Sequence, residues 1–431
     1  FQALAVSLSG RVGTGNIAGV AAAIGIGGPG AVFWMWVVAF LGASTAYVES
    51  ALGQIYKEED EGQLRGGPAY YFEKALGQKC YAWIFAISTI VAVGLLLPTV
   101  QSNAIGAAVE LAFGGGAIIE TGLGSVSMTK LVTASFVVIA LGIIIFGGVK
   151  RIAHFTQIVV PFMALGYIVM AVGIVIYHYA ALPGIITLIF SDAFSPMAGL
   201  GAAIGWGVKR GVYSNEAGQG SGPHAASAAE VQHPAQQGLV QAFSVYIDTL
   251  FVCSATAFMI LITNQYYVAD LGPEITGGVL ATTIEANSPA FTQLALESVL
   301  GGFGRTFVAV ALFFFAFTTL LAYYYIAETN VAYIRRSFRF PGELTIIKIV
   351  LLGAVFYGTV RTADLAWGLG DIGLGIMAGL NIIGILILYF MGAPALTALK
   401  DYEAQRKAGV TEYTFDPVKL GIKNADFWEK D

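Results

Sequence analysis

Ser9-Gly10-Arg11-Val12-Gly13-Thr14-Gly15-Asn16 and, far downstream, Gly205-Trp206-Gly207-Val208-Lys209-Arg210-Gly211-Val212-Tyr213-Ser214-Asn215-Glu216 are the two stretches that decide the fold of this chain. Each sits inside an apolar run of membrane-helix length, and each is interrupted by glycine and polar residues. Lipid cannot hydrogen-bond a loosened backbone, so irregular chain at membrane depth survives only where it lines a cavity. A matched pair of interrupted helices, one early in each half of a chain, is the sequence mark of a secondary transporter's binding site.

Composition supports a membrane setting. The 431 residues are 57% hydrophobic and only 11% charged, with mean hydropathy +0.74. A soluble domain carries roughly 25% charged residues, so this chain has too few charges to build a water-facing surface and is read as an all-α polytopic membrane protein in a lipid bilayer. The net charge of −5 matters less than where the charges fall. Cys80 and Cys253 form neither a disulfide framework nor a metal spacing, and His154, His178, His224 and His233 are scattered. No nucleophile–base grouping or phosphate loop is visible, and the Gly-rich runs do not follow strands. An enzyme, an organic cofactor and a nucleic-acid partner are therefore not expected. The chain opens on Phe1 inside an apolar stretch, so a further segment is expected ahead of it and no targeting signal can be read.

Crossing ~30 Å of hydrocarbon takes about 20 apolar residues. Ten helices are predicted, near 3–26, 31–56, 80–111, 130–149, 152–180, 196–228, 237–263, 302–336, 344–361 and 366–393. Alternating strands of a β-barrel are not seen. Between the helices lie a charged link with an amphipathic tail (57–79), a Gly-rich link (112–129) and a polar excursion (264–301). From Lys400 onward the chain reads as a soluble tail. Fifteen Lys and Arg fall in the links after helices 2, 4, 6 and 8 and in the tail, against three (Lys130, Arg305, Arg361) on the other side. The basic side is cytoplasmic, which puts both ends of the chain inside the cell and the protein in the plasma membrane. Five helices per half is an odd number, so the second half enters from the opposite face. The expected organisation is two inverted five-helix repeats, 1–180 and 181–399, with discontinuous helices 1 and 6 and a cytoplasmic tail at 400–431.

In the first break, Gly13 and Gly15 flank Thr14 and permit backbone angles that other residues resist. The amides freed at the start of the following half-helix attract an anion such as a carboxylate. Thr14 and Asn16 add side-chain oxygens. In the second break, carbonyls freed around Gly205, Trp206 and Gly207 are placed to receive an ammonium, and Trp206 is bulky enough to cap a pocket. Arg11, Lys209, Arg210 and Glu216 are costly at depth unless paired and read as gate or helix-end charges. Gln101, after Pro98 in helix 3, either glues helices together or faces the cavity, as does Asn103. Thr318 and Thr319, following Phe313–Phe317, either bond back to helix carbonyls or supply oxygens to a hard cation. Asp248 and Glu49 are membrane carboxylates, functional by default, and Asn381 is a weaker candidate of the same sort.

At these residues the chain resembles the alanine or glycine:cation symporters, the sodium:alanine symporter family. The resemblance rests on Gly13–Ala21, Gly27–Trp36, Gly66–Tyr71, Gly205–Gly218 and Ile247–Leu250 and runs over nearly the whole chain. That family usually carries another hydrophobic segment before the first one here. It is similar to the leucine-transporter fold, whose two inverted five-helix repeats match the topology derived above. The resemblance implies a sodium ion between helices 1 and 8, with backbone ligands at Ser9, Val12 and Phe315 and hydroxyl ligands from Thr318 and Thr319. A second sodium site would use Asn16, with its other ligands unassigned, and Arg11 has no counterpart.

The expected function is sodium-coupled import of a small zwitterionic amino acid, alanine or glycine, by alternating access. Gly13, Thr14, Gly15 and Asn16 would meet its carboxylate and Gly205–Gly207 its ammonium. Gln101 would contribute from helix 3, and Trp206 would keep larger side chains out. The rival is a proton-coupled transporter or a channel on the same scaffold, with Asp248 or Glu49 as proton carrier.

Overall fold

The computed structural model describes residues 2–122, 124–194, 202–269, 278–280, 284–339 and 341–429. The expected start of helix 6 (196–201) and part of the 264–301 excursion lie outside the described residues. The chain opens with α1 (Gln2–Arg11), which stops where Val12 and Gly13 leave the helix. It resumes as α2 (Gly15–Gly27), whose first turn is π-helical. Gly28, at φ 85°, and Pro29 end α2, a left-handed glycine followed by a residue that cannot continue a helix. Then come α3 (Ala31–Ile55), a hairpin of β1 (Glu58–Asp60) and β2 (Gln63–Arg65), and α4 (Pro68–Lys74). The long α5 (Lys79–Phe113) holds a π turn at Ala92–Leu96 just ahead of Pro98. Proline has no N–H to give the carbonyl four residues back, and the wider turn absorbs that gap.

A second hairpin, β3 (Ile118–Thr121) with β4 (Gly124–Ser127), leads into α6 (Met128–Ile145) and α7 (Val149–Tyr177). The short α8 (Tyr179–Ala193) follows, then α9 (Ala202–Asn215), α10 (Gly222–Ser227) and α11 (Pro234–Ile262). The chain ends with α12 (Ala290–Leu300), α13 (Gly302–Arg335), α14 (Glu343–Val360), α15 (Ala363–Phe390) and α16 (Pro394–Lys407).

The links hold two features that hydropathy did not foresee: the two short antiparallel hairpins, and α8 and α12, which are apolar but too short to span. Among the described residues, eight helices are long and apolar enough to cross a membrane. Large apolar side chains point outward, as with Phe162 at 84% exposure and Phe390 at 82%. Meanwhile Arg11, Asn16, Glu49, Gln101, Arg210 and Asp248 are buried. Apolar outside and polar inside is the arrangement lipid favours.

The ends of the helices sort into two groups. At one, Arg335 pairs with Glu61, Arg336 lies 3.2 Å from Glu73, and Lys74 reaches Asp426 of the tail at 2.8 Å. At the other, Lys130 pairs with Glu110 at 3.2 Å, and Gln293 donates to the Ala108 carbonyl at 2.9 Å. The tail is docked rather than loose: Phe415, Ile422 and Ala425 are buried in one cluster with Tyr47 and Leu52, and the Trp428 indole donates to the Gln54 carbonyl at 3.0 Å. α16 runs through the Lys400 boundary, because its buried Ala395 and Ala398 continue the packing of α3.

Candidate functional site

The first break lies where the glycines predict it. Its freed amides are taken by side-chain oxygens: Gly13 N donates to Asn16 Oδ1 at 2.8 Å, and Thr14 N to Gln101 Oε1 at 3.0 Å. The Thr14 hydroxyl is buried with no hydrogen-bond partner among the described residues. Gly15 permits a close approach: a Cβ there would lie 2.9 Å from Ser214 Cα, so the start of α2 abuts the end of α9. Gln101 also donates through Nε2 to the Tyr213 hydroxyl at 3.3 Å and the Tyr323 hydroxyl at 3.5 Å. It joins the break to α9 and α13 and lies beside Thr14.

On α13, Thr319 Oγ1 lies 3.0 Å from both the Ser9 and the Phe315 carbonyl oxygens. Thr318 Oγ1 lies 3.0 Å from the Phe315 oxygen and 3.0 Å from that of Phe314. Val12 is buried one turn beyond Leu8, whose carbonyl its N–H meets at 2.7 Å. Ser9, Phe315, Thr318 and Thr319 therefore gather at one α1–α13 contact. The hydroxyls bond back to carbonyls and at the same time stand oxygen against oxygen across two helices. Neutral oxygens at this density suit a hard monovalent cation.

The second break is not where the sequence placed it. α9 is continuous through Gly205, Trp206 and Gly207, so their carbonyls are not freed. Gly205 is exposed with nothing near its Cβ position, while a Cβ on Gly207 would meet the Ala31 oxygen at 2.5 Å and Trp34 Cβ at 2.6 Å. Gly207 serves the packing of α9 on α3. Trp206 does not cap freed backbone either. Its ring lies under Lys209 and Arg210, at 4.6 and 5.0 Å. Glycine alone costs a helix only about 1 kcal/mol relative to alanine, too little to break one that packs well.

The helix instead opens at 216–221, where Glu216, Gly218 and Gly220 take φ values of 57°, 82° and 83°. A partial signal was present: Gly218-Gln219-Gly220 repeats the Gly-x-Gly of Gly13-Thr14-Gly15, with Asn215 three residues ahead of it where Asn16 directly follows the first. Glu49 holds this break. Its Oε1 accepts from Gly218 N at 3.2 Å, and its Oε2 from Gly220 N at 3.0 Å and Asn381 Nδ2 at 2.7 Å. The Tyr71 hydroxyl secures Asn381 Oδ1 at 2.5 Å.

Asp248 links the two breaks. The π turn Ile247–Cys253 of α11 brings its carboxylate to Asn16 Nδ2 at 2.6 Å, with Ser214 Oγ at 3.1 Å and Thr249 Oγ1 at 2.8 Å. Two buried guanidiniums flank the pair of breaks. Arg210 bonds Asp371 at 2.9 Å and stacks on Trp367 at 3.9 Å. Arg11 donates to the Gln241 carbonyl at 2.7 Å and to the Ser244 hydroxyl. The Arg210–Asp371–Trp367 assembly was not foreseen; the residues carry no local motif and meet only through the fold. Asn103, donating to the Gly358 and Arg361 carbonyls at 3.1 and 2.7 Å, is helix glue.

A Bacillus subtilis protein assigned by name as a sodium/proton-dependent alanine carrier is 58% identical over all of this chain and 86% of its own length. A sodium/proton-dependent alanine carrier protein of Bacillus sp. strain PS3 is 49% identical over all of this chain and 93% of its own. The sodium/alanine symporter of Methanococcus maripaludis is 36% identical over 90% of this chain and 81% of its own. Residues 1–417 match the sodium:alanine symporter family, and the chain belongs to that family.

Proposed function

We propose that this protein carries alanine, and glycine as its smaller homologue, together with sodium across a cell membrane. One observation carries the reading: two half-helix ends meet at the centre of the molecule. α2 begins where α9 ends, with Gly15 against Ser214. A helix start favours an anion and a helix end a cation, so the junction complements a zwitterion. The substrate carboxylate replaces the Asn16 and Gln101 oxygens on the Gly13 and Thr14 amides. The ammonium faces the last carbonyls of α9, ten residues beyond the position expected from sequence. Tyr213, whose ring would lie 3.1 Å from a Cβ on Gly15, takes over from Trp206 the task of limiting side-chain size.

Sodium enters between α1 and α13, held by the Ser9, Val12 and Phe315 carbonyls and by Thr318 and Thr319. It ties the two helices together and favours the form that receives substrate. Coupling requires that ion and substrate both prefer one state. Helices in the order α1–α2, α3, α5, α6, α7 and α9–α10, α11, α13, α14, α15 form two inverted five-helix repeats of the leucine-transporter kind, with the first helix of each interrupted. The basic end, where the tail docks, faces the cytoplasm, and the membrane is the plasma membrane. Purified protein should bind alanine more weakly when choline replaces sodium; equal binding in both buffers would refute the coupling. A proton as an additional coupling ion is favoured by the names of the two Bacillus relatives and by the buried carboxylates around the breaks.

A further inference from the structure

We infer that Glu216 is the residue through which a proton enters the transport cycle; this rests on the symport reading above. Three buried carboxylates, Glu49, Glu216 and Asp248, surround a single buried guanidinium, Arg11. Arg11 makes no direct ion pair among the described residues, and its Nε and Nη2 have no hydrogen-bond partner. Its Nη2 points into the second break, 3.0 Å from where a Cβ on Gly222 would stand, with Glu49 Oε1 3.7 Å from the same point. With all three carboxylates ionised the interior holds two negative charges without a match, and a buried unmatched charge costs far more than a proton taken up to remove it.

The hydrogen bonds single out which carboxyl takes the proton. Glu49 accepts from two backbone amides and Asn381, on both its oxygens. Asp248 accepts from Asn16, Ser214 and Thr249, also on both oxygens. Donors of this number favour the charged form of a carboxylate against the cost of burial. Glu216 has one such donor, Ser221 Oγ at 2.9 Å on Oε2. Two charged groups face it, the Arg11 guanidinium at the end of α1 and the Asp248 carboxylate of α11; the phenols of Tyr213 on α9 and of Tyr323 and Tyr325 on α13, and His224 on α10, complete its surroundings. The His224 Nδ1 meets the Ser221 carbonyl at 3.1 Å, and its Nε2 meets Asn330 Nδ2 at 2.8 Å.

Glu216 also has room beside it for a proton carrier. It lines a small cavity with Ser7, Gly10, Ser221, Ala225 and Tyr325, with about 10 Å³ of space for a water centre, room for one water molecule. A water there would relay a proton, breaking one O–H bond to protonate the carboxylate as it forms another with a proton taken from bulk solvent, and the reverse transfer would return the proton to solvent and leave the water unchanged. Position turns protonation into motion. Glu216 carries the left-handed residue that opens the second break, and its Oε2 lies 3.2 Å from the Cβ position of Gly10, next to Arg11. Ionised, it draws the end of α1 toward the second break; protonated, it releases it.

The test measures proton uptake by purified protein in weakly buffered, sodium-containing detergent with a pH-indicator dye, on addition of alanine. Wild type should exchange about one proton per alanine bound. Glu216→Gln should bind alanine without a dye response, and in proteoliposomes it should lose the pH-gradient component of uptake while a sodium gradient still drives accumulation. A Glu216→Gln protein that binds alanine and still moves the proton overturns the inference, as does wild type that binds alanine and moves none. If Glu216→Gln does not fold, Glu216→Asp decides: the pH midpoint of alanine-linked proton exchange should shift, and an unshifted midpoint overturns the assignment. Wild type that binds no alanine in sodium would instead sink the symport reading itself.

Discussion

At the first break the freed amides of Gly13 and Thr14 go to the neutral side-chain oxygens of Asn16 and Gln101; at the second, those of Gly218 and Gly220 go to the charged carboxylate of Glu49. On the proposed reading, a neutral amide oxygen is a weak competitor that a substrate carboxylate, charged and able to take both amides, would displace. Glu49 already is such a carboxylate, anchored by Asn381 and Tyr71. One break is thus built to exchange its partner and the other to keep it. The second break is the more distorted of the two, with three residues at positive φ against none at 12–16, so backbone irregularity does not measure availability to a ligand.

Removing the permanent partner should have the largest effect. Glu49→Ala leaves the Gly218 and Gly220 amides and Asn381 unpaired in the interior, at about 3–5 kcal/mol. Thermal unfolding should show a large drop, with uptake abolished. A variant that melts like wild type would remove the distinction between the breaks. Next comes Gly15→Ala against Gly205→Ala. The first forces a methyl to 2.9 Å from Ser214 Cα, costing about 1–3 kcal/mol and parting the two half-helix ends, so alanine uptake should fail. The second enters open space in a continuous helix and should be neutral or stabilise by about 0.5–1 kcal/mol. Equal damage from both would restore the break at 205–207.

Thr319→Ala should come third. It removes one oxygen that bridges Ser9 and Phe315, and a lost hydrogen-bonding group of about 1 kcal/mol should raise the sodium concentration for half-maximal uptake about five- to tenfold. A sodium titration that does not move would detach this contact from the ion. The smallest effect concerns the helix after the second break. His233 caps α11 by accepting from Ala235 N at 3.1 Å through Nδ1, and only the neutral ring can accept there. Burial lowers its pKa below 6.5, with Asp401 pulling the other way. Above pH 6.5 the ring is neutral in folded and unfolded chains alike. As pH falls below 6.5, the unfolded chain takes a proton the folded one resists, so the cap and the tail contact weaken. Protection of the amides at 235–236, taken relative to their intrinsic exchange rate at each pH, should fall between pH 7.5 and 5, and His233→Asn, which keeps a side-chain acceptor, should flatten that response.

Much of the site can be read from residue chemistry at short range. Gly13-Thr14-Gly15-Asn16 pointed to a break without reference to any partner, because two glycines beside a hydroxyl and an amide in an apolar run mark loosened backbone, although close packing is the other use of such glycines and Gly15 serves that too. The same logic applied to Gly205-Trp206-Gly207 failed, since a glycine that admits a neighbouring helix and a glycine that opens a turn look alike in one dimension. Only the Ala31–Trp34 wall beside Gly207 tells them apart. The link hairpins escaped because β1–β4 are too short to set up an alternating pattern, and the tail's docking escaped because its contacts come from α3, hundreds of residues away.

Hydropathy and charge placement on their own determined a helical membrane protein, its succession of spans and the basic bias of one end, since these are sums over long segments that no single contact can reverse. The motifs along the chain marked the first break and its family. What tertiary structure alone decided is where the second helix opens, which carboxylate holds it open, and that Arg11, Glu216 and Asp248 share one interior. Those depend on distances between helices, and the energy of a buried charge is set by neighbours that the linear order does not specify.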